Sequence, residues 1–88
     1  MYKVIYSENA VKELRKIDKQ IAQRIIKKIH FFSEQKEIQT HAKKLKGFVE
    51  KFRFRIGDYR AIFSIDKKGK IKILKILNIK HRKDIYEK

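Results

Sequence analysis

The hydrophobic period of this 88-residue chain changes once, and that change limits what the chain can fold into. Ala10, Val11, Leu14 and Ile17, then Ile21, Ala22, Ile25, Ile26, Ile29 and Phe32, recur at helical spacing. From Phe52 the period becomes two. Phe52, Phe54 and Ile56 alternate with Lys51, Arg53 and Arg55, the pattern of a strand buried on one side. A chain patterned this way folds as helices packed on one face of a sheet. Ser7 offers an N-cap with Glu8 in the first turn, and Asp18 caps a second helix, so the two helices form an antiparallel hairpin.

Tyr2-Lys3-Val4-Ile5-Tyr6 before the hairpin reads as a strand, and residues 33–46 after it read as polar and irregular. Gly57-Asp58 is a turn, residues 59–65 a strand, Asp66-Lys67-Lys68-Gly69 a hairpin loop and residues 70–77 a strand. Residues 81–86 close the chain. The predicted fold is α+β, in the order β-α-α-β-β-β. A helical hairpin packs on a small, mainly antiparallel twisted sheet, followed by a short C-terminal tail or helical turn. Its covered face is assigned to Phe52, Phe54, Ile56, one of Ala61 and Ile62, Phe63, Ile71, Ile73 and Ile76. No repeat or linker interrupts the chain, so residues 1–88 are expected to form a single domain.

Charge narrows the function. The chain carries 25 Lys and Arg against 10 Asp and Glu, a net +15. Residues 1–35 hold 8 basic and 4 acidic side chains and residues 36–88 hold 17 and 6, so the second part supplies +11 of the total. Selection for solubility or a codon bias would spread lysine evenly. The asymmetry instead points to a polyanion, drawn in by the field and bound with release of its counterions. Cysteine is absent, which excludes disulfides and cysteine-ligated zinc and makes the cytoplasm the expected compartment. Lys72 and Lys75 interrupt the most apolar stretch, residues 71–79, so no membrane span is expected, and residues 1–6 read as a strand rather than a signal peptide.

Two groups of residues could carry chemistry. If Phe52, Phe54 and Ile56 point inward, Arg53 and Arg55 point outward together, and the next strand brings Arg60 near them. Clustered guanidiniums repel one another unless a phosphate sits among them, and their forked donors fit phosphate oxygens. An ordinary solvated strand face would mix Lys, Thr and Glu. The second group is the tail, with Lys80, His81, Arg82 and Tyr86. Histidine is the side chain suited to proton transfer near neutrality, so His81 is the proton-transfer candidate, and Tyr86 can stack on a base. The competing readings are an exposed histidine and a tyrosine packed on the sheet edge. Lys43, Lys44, Lys46, Lys51 and Lys80 add candidate RNA contacts. His30 lies in the helical hairpin, away from these strands, and His41 lies in the loop, where it is read as a further RNA contact. No His or carboxylate pair recurs at metal-ligand spacing and no glycine-rich phosphate loop is present, so neither a metal nor a cofactor is expected.

Lys44-Leu45-Lys46-Gly47, Phe52-Arg53-Phe54-Arg55-Ile56-Gly57-Asp58-Tyr59-Arg60, Ile62-Phe63 and His81-Arg82-Lys83-Asp84-Ile85-Tyr86, with Leu14-Arg15-Lys16-Ile17 in the helical hairpin, resemble the RelE/ParE toxin superfamily. The resemblance spans essentially the whole chain and implies a toxin of a type II toxin–antitoxin system. Its RelE branch implies a ribosome-dependent, metal-independent endoribonuclease. There the 2′-hydroxyl of mRNA in the A site attacks the adjacent phosphorus, leaving a 2′,3′-cyclic phosphate and a 5′-hydroxyl. Carried over, Arg53, Arg55 and Arg60 stabilise developing charge, His81 transfers a proton and Tyr86 orients the substrate. Arg82 matches the tail arginine, with Lys80 as the alternative under a shift of one or two residues. Some relatives have Lys at the positions of Arg53 and Arg55. Arginine does not give up its proton, so the base becomes His81 or a group of the ribosome. The implied partners are an acidic, partly helical RelB-like antitoxin, the ribosome and mRNA. The ParE branch, a protein-binding toxin that inhibits DNA gyrase, is the alternative.

Overall fold

The computed structural model describes residues 2–35, 42–44 and 51–85. The order is β1 (Lys3–Tyr6), α1 (Glu8–Arg15), α2 (Lys19–Ser33), β2 (Ala42–Lys44), β3 (Lys51–Ile56), β4 (Tyr59–Lys68), β5 (Ile71–His81) and α3 (Arg82–Ile85). The five strands form one sheet in the order β1-β5-β4-β3-β2, antiparallel except for the parallel pair β1–β5. The fold is the expected α+β arrangement with one addition. β2 lies in the stretch read as irregular, because Ala42-Lys43-Lys44 is too short to show a period and forms a strand only by pairing with β3.

Capping explains where the helices begin. The Ser7 hydroxyl accepts the Ala10 N–H at 3.0 Å and donates to the Leu77 carbonyl at 2.7 Å, so it starts α1 and ties it to β5. The Asp18 carboxylate accepts the Gln20 N–H at 3.1 Å and starts α2. The two helices bury Ala10, Ile25, Ile29 and Phe32 against Phe54, Ile56, Ala61, Phe63, Leu74, Ile76 and Ile79 of the sheet. Phenylalanines form the centre of this core. Phe32 lies 4.3 Å from Phe54, Phe54 lies 4.3 Å from Phe63, and Phe63 stacks on Phe52 at 5.5 Å.

Register settles which residues face the helices. Phe54 pairs with Ala61 and Arg53 with Ile62, so Ala61 is buried and Ile62 lies on the open face. In β5, Leu74 and Ile76 are buried, while Ile71 is 57% exposed and Ile73 occupies the opposite parity. The assignment of Ile71 and Ile73 to the covered face is therefore corrected. The hairpin also differs from expectation. Gly69, at φ +62°, makes a tight turn, so residues 66–68 pair with residues 71–73 instead of forming a loop. A bulge where Ile62 and Phe63 pair with Asn78 and Ile76 leaves Leu77 unpaired. β5 then continues to His81, with Ile79 rather than Asn78 facing the core.

Removing the ring that touches both Phe32 and Phe63 leaves a cavity the sheet cannot close. Phe54→Ala is expected to cost about 3–5 kcal/mol, read as a lowered urea midpoint at unchanged slope.

Candidate nucleic-acid interface

Strand alternation puts Lys51, Arg53 and Arg55 on the open face, between the inward Phe52, Phe54 and Ile56. Cross-strand pairing then builds a row. Arg55 stands opposite Arg60, and Arg60 stands opposite Lys80, so three cations from β3, β4 and β5 line up. Residues opposed in this way lie roughly 5 Å apart at Cα, a spacing at which like charges destabilise the sheet. Next to that row Arg53 pairs with Ile62 and Ile62 with Asn78, and beyond it Lys51, Ser64 and Lys75 form another.

Arg60 is the most constrained of these residues. It is 3% exposed, yet it forms no ion pair with any described residue. Its Nη1 donates to the Gly57 and Tyr59 carbonyls, each at 2.9 Å. The turn supplies those carbonyls because Gly57 adopts φ +59°, which a side chain would strain. Two carbonyls orient the guanidinium without cancelling its charge, and a buried cation lacking a carboxylate favours an added anion. Arg55 beside it is exposed and has no hydrogen bond or ion pair among the described residues.

Lys80 is held from the opposite side. β1 ends at Tyr6, so among the described residues no strand pairs with residues 77–81 of β5 on that side, and α1 lies against them instead. The Ser7 N–H donates to the Ile76 carbonyl at 2.8 Å. One Glu13 oxygen, Oε1, accepts the Ile79 N–H at 2.7 Å and the Asn78 amide at 3.4 Å, while Oε2 pairs with Lys80 Nζ at 2.7 Å. Burial pushes the Glu13 carboxyl up, but Lys80, the Ile79 N–H and Asn78 outweigh it and hold the group below the ordinary glutamate range. Glu13 in turn raises the Lys80 ammonium above the ordinary lysine value, with a smaller contribution from Asp84.

The tail residues separate. His81 pairs with Tyr59, so its parity is that of Ile56 and Ile79, opposite to Arg60 and Lys80. Its ring meets Tyr59 edge-on at 5.2 Å, and its Nδ1 accepts the Lys83 N–H at 3.2 Å. The structure therefore does not bring the imidazole alongside the row. Arg82 lies at the β3–β4 turn. Its N–H donates to the Asp58 carbonyl at 2.7 Å and its Nε is 3.7 Å from the Asp58 carboxylate. Lys80, not Arg82, is the residue the register sets beside Arg60. Lys43 pairs with Arg53 and Lys44 with Phe52 in the β2–β3 ladder. Lys46, Tyr86 and His41 lie outside the described residues. Among the described residues, no group of three or more His, Cys, Asp or Glu is placed to hold a metal, and no helix is long and apolar enough to cross a membrane. Glu13 was missed in the sequence because its partners lie 65 or more positions away and a single acid in a helix carries no spacing signal.

The profile of the ParE toxin of type II toxin–antitoxin systems, parDE, matches residues 4–86. The chain belongs to the RelE/ParE toxin superfamily. It is a type II toxin–antitoxin toxin of that superfamily. Its fold is similar to RelE in the archaeal RelE–RelB complex from Pyrococcus horikoshii OT3, at 29% identity and a TM-score of 0.70, covering 92% of this chain and 94% of that one. The Mycobacterium tuberculosis RelBE2 complex matches at 24% identity and a TM-score of 0.70, covering 92% and 98%. The intact Escherichia coli RelBE complex matches at 19% identity and a TM-score of 0.73, covering 92% and 96%. No significantly similar sequence is found among the curated proteins.

The Glu13 contacts set an acid limb for this toxin's stability. Because its folded pKa is lowered, Glu13 contributes stability that is present above the ordinary glutamate range and is lost as pH falls through the lowered folded value. The raised Lys80 contributes below the ordinary lysine range and loses that contribution only as pH rises through its folded value. Urea unfolding between neutrality and acid should show Glu13→Gln less stable than the parent at pH 7, with a shallower loss on acidification.

Proposed function

We propose that this toxin is a ribosome-dependent endoribonuclease acting on mRNA without a metal ion. The observation that carries this reading is the buried Arg60, without an ion pair among the described residues, set in one row with Arg55 and Lys80. Such a row suits a phosphodiester whose charge grows during reaction. The 2′-oxygen attacks the adjacent phosphorus, the bond from phosphorus to the 5′-oxygen breaks, and a 2′,3′-cyclic phosphate and a 5′-hydroxyl are left. Arg55, Arg60 and Lys80, with Arg53 beside them, neutralise the phosphorane oxygens, the part of such a reaction that fixed charge assists most. With His81 on the other parity of β5, the proton of the 2′-hydroxyl passes to a group of the ribosome, and the leaving 5′-oxygen takes up a proton from solvent water to become the 5′-hydroxyl. Arg82 holds the tail at the β3–β4 turn, Tyr86 stacks on the substrate, and Lys43, Lys44, Lys46 and Lys51 extend the phosphate contacts.

The relatives found in RelE–RelB complexes support a RelB-like antitoxin as partner. We infer an acidic, partly helical segment that neutralises the cationic face. Ribosomes and mRNA are its targets, and the cytoplasm is its compartment. Inhibition of DNA gyrase is the second reading, favoured by the ParE description of the matched profile and by Arg in place of Lys at positions 53 and 55.

Mapping mRNA ends on programmed ribosomes, next to a gyrase supercoiling assay, separates the two. Cleavage leaving 2′,3′-cyclic phosphate ends, without loss of supercoiling activity, is expected. Arg55→Ala should lower the cleavage rate about 10²–10³-fold, while its exposed position leaves the unfolding midpoint unchanged. His81→Ala should stay within about tenfold of the parent. Abolished cleavage with RNA binding intact would return the imidazole to the mechanism.

A further inference from the structure

We infer that Glu13 is a positioning residue: through Lys80 it completes the phosphate-binding row of β3, β4 and β5. This deepens the phosphate-binding part of the reading above and rests on it.

Geometry alone makes the case. A lysine side chain is long and flexible, and its ammonium spreads over many rotamers when nothing fixes it. Lys80 stands opposite Arg60, at the end of the cationic row nearest the β5 edge. There its Nζ is held 2.7 Å from Glu13 Oε2. The carboxylate is itself held, because its other oxygen accepts the Ile79 N–H at 2.7 Å and the Asn78 amide at 3.4 Å. The backbone of β5 thus fixes the acid, the acid fixes the ammonium, and Lys80 is paired in register with Arg60, whose guanidinium the backbone of β4 and its turn has also fixed. A surface ion pair alone contributes little to stability. Here both ends are tied to the sheet, and the pair lies at the edge of a row otherwise made of like charges. Glu13 leaves the row cationic because Lys80 keeps two further ammonium protons for an anion, and its side chain remains 42% exposed to meet one.

Two simple expectations oppose each other. Removing an acid from a chain of net charge +15 should tighten binding to any polyanion if total charge is all that matters. Removing the residue that positions Lys80 should weaken it. Glu13→Gln separates the two, since the amide oxygen still accepts the Ile79 N–H and keeps the edge of β5 satisfied, while the ammonium loses its charged partner.

The test uses a short fluorescein-labelled single-stranded RNA, methylated at each 2′-oxygen so that it binds without being cleaved. Its affinity is measured by anisotropy at several salt concentrations. Lys80→Ala should weaken binding roughly three- to tenfold and reduce the salt slope by about 0.7, the signature of one lost phosphate contact. Glu13→Gln should weaken binding in the same direction, and the double variant should bind no worse than Lys80→Ala alone. Glu13→Asp, which keeps the charge on a shorter arm, should fall between parent and Glu13→Gln and serves as the reading if Glu13→Gln does not fold. Equal or tighter binding by the Glu13 variants, or additive losses in the double variant, overturns the assignment. So does a parent chain that does not bind the RNA. Binding and coupling as expected, with no cleavage on programmed ribosomes, would leave Glu13 assigned and remove the nuclease reading.

Discussion

A sheet covered by helices on one face leaves its other face for water or a partner, and the organisation of this toxin follows from that constraint. In β3, β4 and β5 successive side chains must point to opposite faces. One parity supplies Phe54, Phe63, Leu74 and Ile76 to the helices. The other carries Arg53, Arg55, Arg60 and Lys80 to the opposite face, where Arg60 is buried. The two sets are coupled, because a slip of one residue in register would bury the cations and expose the phenylalanines. The packing that holds the molecule together is therefore also what aligns the charges.

The cationic face is held by neutral and acidic groups at its margins. Arg60 is oriented by carbonyls of its own turn, and Lys80 by a carboxylate from α1. Both devices fix position, and neither removes the positive potential where the strands meet. They also use the backbone economically. The turn at Gly57 closes the hairpin and cradles a guanidinium, and Glu13 satisfies the exposed edge of β5 while it holds an ammonium. Groups fixed in this way need little reorganisation when charge develops against them, which is the condition under which electrostatics accelerate a reaction.

The similar solved structures share the fold at identities from 19% to 29% in the three complexes described. A shared fold does not carry a shared activity. What bears on activity here is the chemistry of the row itself. Arginine at positions 53 and 55 supplies permanent charge and forked donors and gives up the possibility of a lysine that loses its proton. The imidazole of His81 packs on Tyr59, on the parity opposite to the cationic row.

Local pattern determined much of this. The switch of period from 3.6 to 2 fixed two helices before three adjacent strands, Ser7 and Asp18 marked the helix starts, and alternation around Phe52, Phe54 and Ile56 put Arg53 and Arg55 on the same side. These are properties of neighbouring residues, and neighbouring residues report them. Long-range register decided the rest. Whether Ala61 or Ile62 faced the helices, whether Ile71 was covered, and whether Lys80 or Arg82 joined Arg60 each depended on where β4 met β5 and on the bulge at Leu77. β2 existed only through pairing with β3, and the place of Glu13 existed only because α1 lies along the edge that β1 leaves open. Contacts between residues more than sixty positions apart leave no periodic trace in a chain, and only the folded sheet brings them into one site.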